Sequence, residues 1–404
     1  MSAHAKPAPV DTPFWTPGVI LLAALMVTGF LFIIGRFTGG LGAVSHLSQT
    51  SPWGIWIGVD VATGVALAAG GFTTAALAHI FGRHRYEAVT RPALLTAMLG
   101  YTFVSLGLFI DIGRSWAIWK PIFYWQTNSV LFEVAMCVVI YLHVLYIEFI
   151  PVLAERFRMG VEFPGRRLWV LEDLIGGVLN FLDRIIDKIM WVFIILGVVL
   201  SCMHQSGLGS LLLIAPTKMH PLWYTPLLPL LFLLSAIAVG FPMVVFETTL
   251  ATGAMKLEDE MDALSPLTRF TIILLGIYLA IKLGDMAYRG THVYIFDGSA
   301  QGKAFLVEIL FGVIIPWCML LLPGVRSSRG WLFVASTLVV CGVALNRVNV
   351  FLVGFKAPYA QQSYFPSVGE LAITIGLISS LIFVYRICVK YLPVLSARRL
   401  EVSS

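Results

Sequence analysis

The residues that could do chemistry in this chain are acids, a histidine and a tyrosine set inside strongly apolar sequence. Asp60 ends Pro52-Trp-Gly-Ile-Trp-Ile-Gly-Val-Asp60, Glu133 ends Asn128-Ser-Val-Leu-Phe-Glu133, and His204 opens His204-Gln-Ser-Gly-Leu-Gly-Ser210. On a helix rising about 1.5 Å per residue, Asp60 lies roughly 10 Å below Trp53, where hydrocarbon is expected. A charge at such depth costs about 2.5–3.5 kcal/mol on insertion scales, so residues of this kind face a bundle interior or a wet cavity. Asp60, Glu133 and His204 each sit more than one turn inside an apolar run, with no opposite charge nearby in sequence. They are expected to line a site where protons are taken up or given away.

The elements that must position them follow from composition. With 58% hydrophobic and 12% charged residues and a mean hydropathy of +0.88, the 404-residue chain is an all-α integral membrane protein. Apolar runs at about 17–35, 53–81, 93–112, 128–150, 189–213, 227–250, 269–288, 304–322, 331–348 and 368–388 give about ten transmembrane helices. Eighteen of the 27 Lys and Arg fall on the side of the termini, which predicts cytoplasmic termini and outer loops in the periplasm of a bacterial inner membrane. Trp53 and Trp56 read as outer-edge anchors. The outer loops, carrying Trp116, Trp119, Trp125, Trp223, Tyr224, Tyr294 and Tyr359, suit both an aromatic belt and a docking surface. Segment 165–188 has apolar residues at helical spacing, which predicts an amphipathic helix on the cytoplasmic interface or an extension of helix 5. No basic run with interleaved aromatics points to nucleic acid.

Helix direction turns the remaining polar residues into depths. Asp60, Asp111, Arg114, Glu133, Lys282, Asp285, Glu308, Asn346, Arg347 and Glu370 crowd the outer side, with His204 somewhat deeper. His79, His143, Glu148, Glu247 and Arg386 lie nearer the cytoplasm. Some of these have plain readings: Lys282 and Asp285 can pair at i,i+3, Arg347 can neutralise Glu308 or Glu370, and His79 and Arg386 can snorkel. The five cysteines are isolated and lack the Cys-x-x-Cys spacing that an iron–sulfur cluster or zinc would need, so no metal site is expected. A b-type haem would need paired histidines, for which His79 with His143 is the one weak candidate. Acid–base groups in the bilayer without a redox centre suit a quinone, which needs partners for its carbonyls, a proton source and an apolar cavity. His204, Tyr101, Glu133 and Asp60 could fill those roles. His143 and Glu148, or Glu247, could carry protons from the inner side.

With Asp111-Ile-Gly-Arg114 and His220-Pro-Leu-Trp223, the motifs around Asp60, Glu133 and His204 resemble the NrfD/PsrC family, membrane subunits of polysulfide reductase and related respiratory complexes. The likeness is greatest to the ten-helix membrane subunit of hydrogenase 2 and its counterpart in high-molecular-weight cytochrome complexes. The resemblance implies two four-helix bundles plus extra helices, free of haem, with a quinone pocket near the outer surface; menaquinone is the expected quinone. It places Asp60, Tyr101, Glu133 and His204 around the pocket and Asp111 and Arg114 at its rim. It also implies a docked periplasmic iron–sulfur subunit of the four-cluster type and a catalytic hydrogenase or multihaem cytochrome on other chains. Two rival functions are a secondary transporter and a passive anchor of a periplasmic enzyme.

Overall fold

The computed structural model describes residues 7–160, 169–258, 260–360 and 364–395. Among them are ten helices long and apolar enough to cross a membrane: α1 (Pro17–Gly39), α2 (Trp56–Ile80), α3 (Glu87–Asp111), α4 (Val130–Arg158), α5 (Trp169–Ser210), α6 (Leu228–Met255), α7 (Met261–Arg289), α8 (Ala300–Leu321), α9 (Arg329–Val353) and α10 (Val368–Tyr391). Several run past the apolar windows. Hydropathy falls at a charge, but backbone hydrogen bonding does not, so α3 reaches back through Arg91 and α4 forward through Glu155. Those two side chains then pair at 2.7 Å. The first and last described segments meet at one end, where the amides of Ala8 and Val10 donate to the carbonyls of Leu395 and Val389. We call this the terminal end and the opposite one the distal end.

Helices α2–α5 and α6–α9 form two neighbouring groups, and α2 is the wall between them, packed on α3, α6 and α9. Its spanning window is 78% buried, against 11% for α1. Helix α1 instead pairs with α10 at the periphery. Gly29 and Gly376 let their backbones touch, since a Cβ on either would lie 2.7 Å from the other's Cα. Small residues at such crossings gain close van der Waals contact where lipid gives no hydrophobic drive.

The segment expected at 165–188 divides. Residues 165–168 lie outside the described residues, and 169–188 run without a break into the fifth span as one 42-residue helix. At 1.5 Å per residue that helix is about 63 Å long, roughly twice a hydrocarbon core. Its terminal-end portion leans on the end of α4, where Arg158 meets Asp183 at 2.8 Å.

Candidate functional site

Asp60 is aimed by an irregular turn. Residues Trp56–Thr63 are wound as a π-helix, in which each amide reaches one residue further back than in an α-helix; such turns recur at functional sites. The turn is tied at both ends. Trp56, 1% exposed, donates from its indole to the carbonyl of Glu370 at 3.2 Å, and the Thr63 hydroxyl donates to the carbonyl of Gly58 at 2.8 Å. Trp56 is therefore a link to α10 rather than an exposed membrane-edge anchor, and Trp53 stacks on Phe351 of α9.

Asp60 thereby lines a cavity of about 280 Å³ between α2, α3, α6 and α10. Gly107 of α3 leaves it room, since a Cβ there would stand 3.2 Å from the Asp60 Cβ. Asp60 accepts a 2.7 Å hydrogen bond from Thr374 of α10. The other walls, including Gly64, Phe103, Val104, Met243, Phe246 and Leu377, are almost wholly apolar. Ile378 and Ile382 are 46% and 45% exposed on the outside of α10, so the cavity opens sideways toward lipid. Thr96 lines it nearer the terminal end and stands beside Glu247 of α6. Glu247 is buried with no side-chain neighbour but Thr96 offering it a hydrogen bond, and the nearby Tyr385 hydroxyl of α10 is buried without a partner.

Toward the distal surface a short run of acids continues from Asp60. Asp111 is within electrostatic reach of Asp60, Glu370 and Arg36, and its Oδ1 is buried without a partner. Arg36, buried at the end of α1, donates to the carbonyls of Ile110 and Ile112 at 2.8 Å each and so caps α3. Glu370 is fully occupied as the capping-box acid of α10. It accepts from the amides of Ser367 and His46 and, at 2.5 Å, from the Tyr364 hydroxyl. Burial pushes the Tyr364 phenol above its ordinary range, the carboxylate beside it acting the same way.

The six expected pocket residues do not come together. Tyr101 and His204 are fully buried and meet at 3.1 Å between hydroxyl and Nδ1, but they do so on the other side of α3, away from the cavity lining. Glu133 is exposed in the first turn of α4, behind the Ser129 cap, where an acid is favourable at a helix N-terminus. Arg114 is exposed in the distal loop, and His143 is exposed on α4 with Nδ1 against the carbonyl of Val139. Glu148 is half-buried against Gly197 of α5. Of the acids expected from depth, Asp60, Glu148 and Glu247 lie inside the bundle. Depth does not single out Arg36, Thr96, Thr374 and Tyr385, which stand beside such acids only through what other helices bring together.

The second group of helices holds a different arrangement. Glu308 of α8 accepts from Lys282 Nζ at 3.2 Å, Asn346 at 2.8 Å, and Asn349 and the Trp223 indole at 2.9 Å each. Arg347 donates to Asn346 at 2.7 Å, to Ser235 at 2.9 Å and to the carbonyl of Phe232 at 3.1 Å, with its guanidinium 3.7 Å from the Phe232 ring. Lys282 thus pairs across helices with Glu308, while Asp285 takes Arg289 at 2.8 Å. The network reaches the distal loops through Trp223. Beside it His220 donates its amide to Gly354, and burial pushes the His220 imidazole below its ordinary range.

Residues 43–357 match the family described as polysulphide reductase, NrfD. The chain belongs to the NrfD family. A protein of Escherichia coli K12 named probable Ni/Fe-hydrogenase 2 b-type cytochrome subunit is 34% identical over 396 residues, covering 96% of this chain and 95% of its own. The integral membrane subunit of menaquinone reductase from Nitratidesulfovibrio vulgaris is 25% identical over 388 residues, with 88% and 86% covered. That of an Hdr-like menaquinol oxidoreductase from Archaeoglobus fulgidus is 22% identical over 408 residues, with 95% and 94% covered. As an NrfD-family protein the chain is a multi-pass membrane subunit of the quinone-reactive oxidoreductase class.

The word cytochrome in the E. coli relative's name raises haem. Among the described residues the helix-borne histidines form no buried pair: His79 and His143 are both exposed, and His204 is buried with Nδ1 on Tyr101 and Nε2 unpartnered. Among the described residues no three His, Cys, Asp or Glu side chains converge as a metal site requires. A quinone headgroup fits better. The cavity is near the lower end of the roughly 300–1,000 Å³ usual for ligand sites, is apolar with one carboxyl group, and opens to lipid.

Proposed function

We propose that this chain binds menaquinone in the cavity beside Asp60 and exchanges electrons between it and an iron–sulfur subunit docked on the distal loops. That subunit is of the four-cluster type, with a hydrogenase or a multihaem cytochrome as the catalytic partner. The distal end faces the periplasm in this reading, and the termini face the cytoplasm. The observation that carries it is a carboxylate at the end of a cavity open to hydrocarbon, a geometry suited to a lipid-borne ligand with one polar head. A relative named menaquinone reductase adds weight to the choice of quinone.

When bound, the quinone supplies the two-electron, two-proton chemistry. Asp60 orients the headgroup and holds or releases a proton at its carboxyl, positioned by Thr374. Asp111 stands next toward the distal surface, as a second acid through which that proton reaches water. Glu247, beside Thr96 at the other end of the cavity, is the group through which protons arrive from the terminal end. Glu133, Arg114 and His143, being exposed, are left outside this path. Exposed Trp116, Trp125, Tyr294 and Tyr359 supply the docking surface, since such aromatics are enriched at protein contacts.

The test measures quinone affinity and electron transfer in the intact membrane complex carrying Asp60→Asn. Loss of most turnover together with weaker binding of a water-soluble naphthoquinone supports the reading. Unchanged binding and rate overturn it.

A further inference from the structure

On the side of α3 away from the cavity, five polar side chains meet at the centre of the first group of helices. They are Tyr101 of α3, Tyr141 of α4, and Ser201, His204 and Gln205 of α5, each no more than 1% exposed. Some of their hydrogen bonds are made. Tyr101 reaches His204 Nδ1 at 3.1 Å, Gln205 donates from Nε2 to the carbonyl of Val65 at 2.8 Å, and the rings of Tyr101 and Tyr141 stand edge to face at 4.6 Å.

Two atoms in the same place have no partner at all, His204 Nε2 and Gln205 Oε1, and two more, the Tyr141 hydroxyl and Ser201 Oγ, make no bond of full geometry although Ser201 stands beside both phenols. Buried polar groups are nearly always hydrogen-bonded to protein or to ordered water, and four atoms left short of a full hydrogen bond in one cluster require a common explanation. The set contains hydroxyls that can donate or accept, an amide oxygen that can accept, and an imidazole nitrogen of either kind. Water is the ligand that answers such a mixture, and a buried water usually makes about three hydrogen bonds.

The cluster also has an inner neighbour. Glu148 lies seven residues after Tyr141 on α4, two turns along the same face. Its Oε1 lies 3.2 Å from where a Cβ on Gly197 would be, and Gly197 is one turn before Ser201 on α5. Glu148 is within electrostatic reach of Tyr141, and Ser201 lies beside both phenols.

We propose that Tyr101, Tyr141, Ser201, His204 and Gln205 enclose bound water and, with Glu148, form an internal proton-exchange site separate from the cavity at Asp60. Each step along it breaks one O–H or N–H bond as it makes the next, so no oxidant or reductant takes part. A proton entering at Glu148 passes by water and the Tyr141, Ser201 and Tyr101 hydroxyls to His204, and the return order is equally open. Its use during turnover rests on the quinone reading above; its content of water does not.

Two measurements test it. The first is a cryo-electron microscopy map of the intact complex in lipid nanodiscs, at a resolution that shows ordered water. Density within hydrogen-bonding reach of at least two of those four atoms is expected. A dry cluster with those atoms paired to one another overturns the proposal. The second compares Tyr141→Phe, Ser201→Ala and Ser201→Thr. The first two are expected to slow electron transfer to a water-soluble naphthoquinone about tenfold and to change its solvent isotope effect, while affinity for that quinone stays within about twofold. Ser201→Thr, which keeps the hydroxyl, restores the rate. Unchanged rates and isotope effects in both deletions overturn the relay. Asp60→Asn separates the two readings, since unaltered quinone affinity there removes the cavity assignment and leaves the water cluster standing.

Discussion

The two groups of helices bury polar side chains in opposite ways. Around Glu308 every carboxylate oxygen is occupied, by Lys282, Asn346, Asn349 and Trp223, and Arg347 is spread over Asn346, Ser235 and a backbone carbonyl. Around Asp60, Glu247 and His204 the acids and hydroxyls have one partner or none. A network that satisfies its carboxylate completely, with only Arg347 Nε left over, holds its helices and the loop bearing Trp223 in one arrangement. One left incomplete costs stability and is retained where something else completes it. Under the proposed function, the comparison gives a structural role to the interior of α6–α9 around Glu308, and chemistry to α2–α5 with the adjoining faces of α6 and α10.

Substitutions can break or sharpen that division. The largest effect is expected from Glu308→Ala, which strands Lys282 in the interior. Removing one partner of a buried pair costs about 3–5 kcal/mol, so thermal unfolding in detergent should shift strongly downward, with little folded protein recovered. Asp60→Asn should do the reverse. Its amide oxygen still accepts from Thr374, so stability stays within about 1 kcal/mol, while turnover falls about 10²-fold, the scale of a lost acid–base group. Gly107→Ala should come next. The added methyl group presses Asp60 into the cavity and weakens naphthoquinone binding about tenfold, readable by titration. Tyr101→Phe removes the bond to His204 and should lower stability by about 1 kcal/mol, measured by denaturation. The smallest change belongs to the exposed His84–Glu87 pair at the terminal end, where Glu87→Gln should shift unfolding by less than about 0.5 kcal/mol. A large loss of stability in Asp60→Asn, or a fully stable Glu308→Ala, would erase the contrast.

The spans are legible in the sequence because a hydrocarbon slab selects apolar runs of fixed length whatever their packing. The acid at Asp60 is legible for the same reason. Depth, however, gives no rotation about the helix axis. Glu133 and His204 are both well inside apolar runs, yet one emerges on an exposed face and the other is wholly enclosed. Partners are illegible when they are far apart in the chain: Trp223 and Glu308 are separated by 85 positions, and Asp60 and Thr374 by 314. The end of α5 toward the termini shows a milder form of the difficulty. Its apolar periodicity suits a surface helix and a continued span equally, and only the unbroken backbone decides between them.

The π-turn at Trp56–Thr63 also takes up one side chain more than ordinary winding would over the same arc. An α-helix advances about 100° per residue and the wider turn advances less, so the extra residue is absorbed while the helix on either side stays nearly in register. Trp56 can therefore stay on Glu370 while Asp60 faces the cavity. The stretch between them is the place in α2 where one residue can be gained or lost with least disturbance to the distal end of the helix.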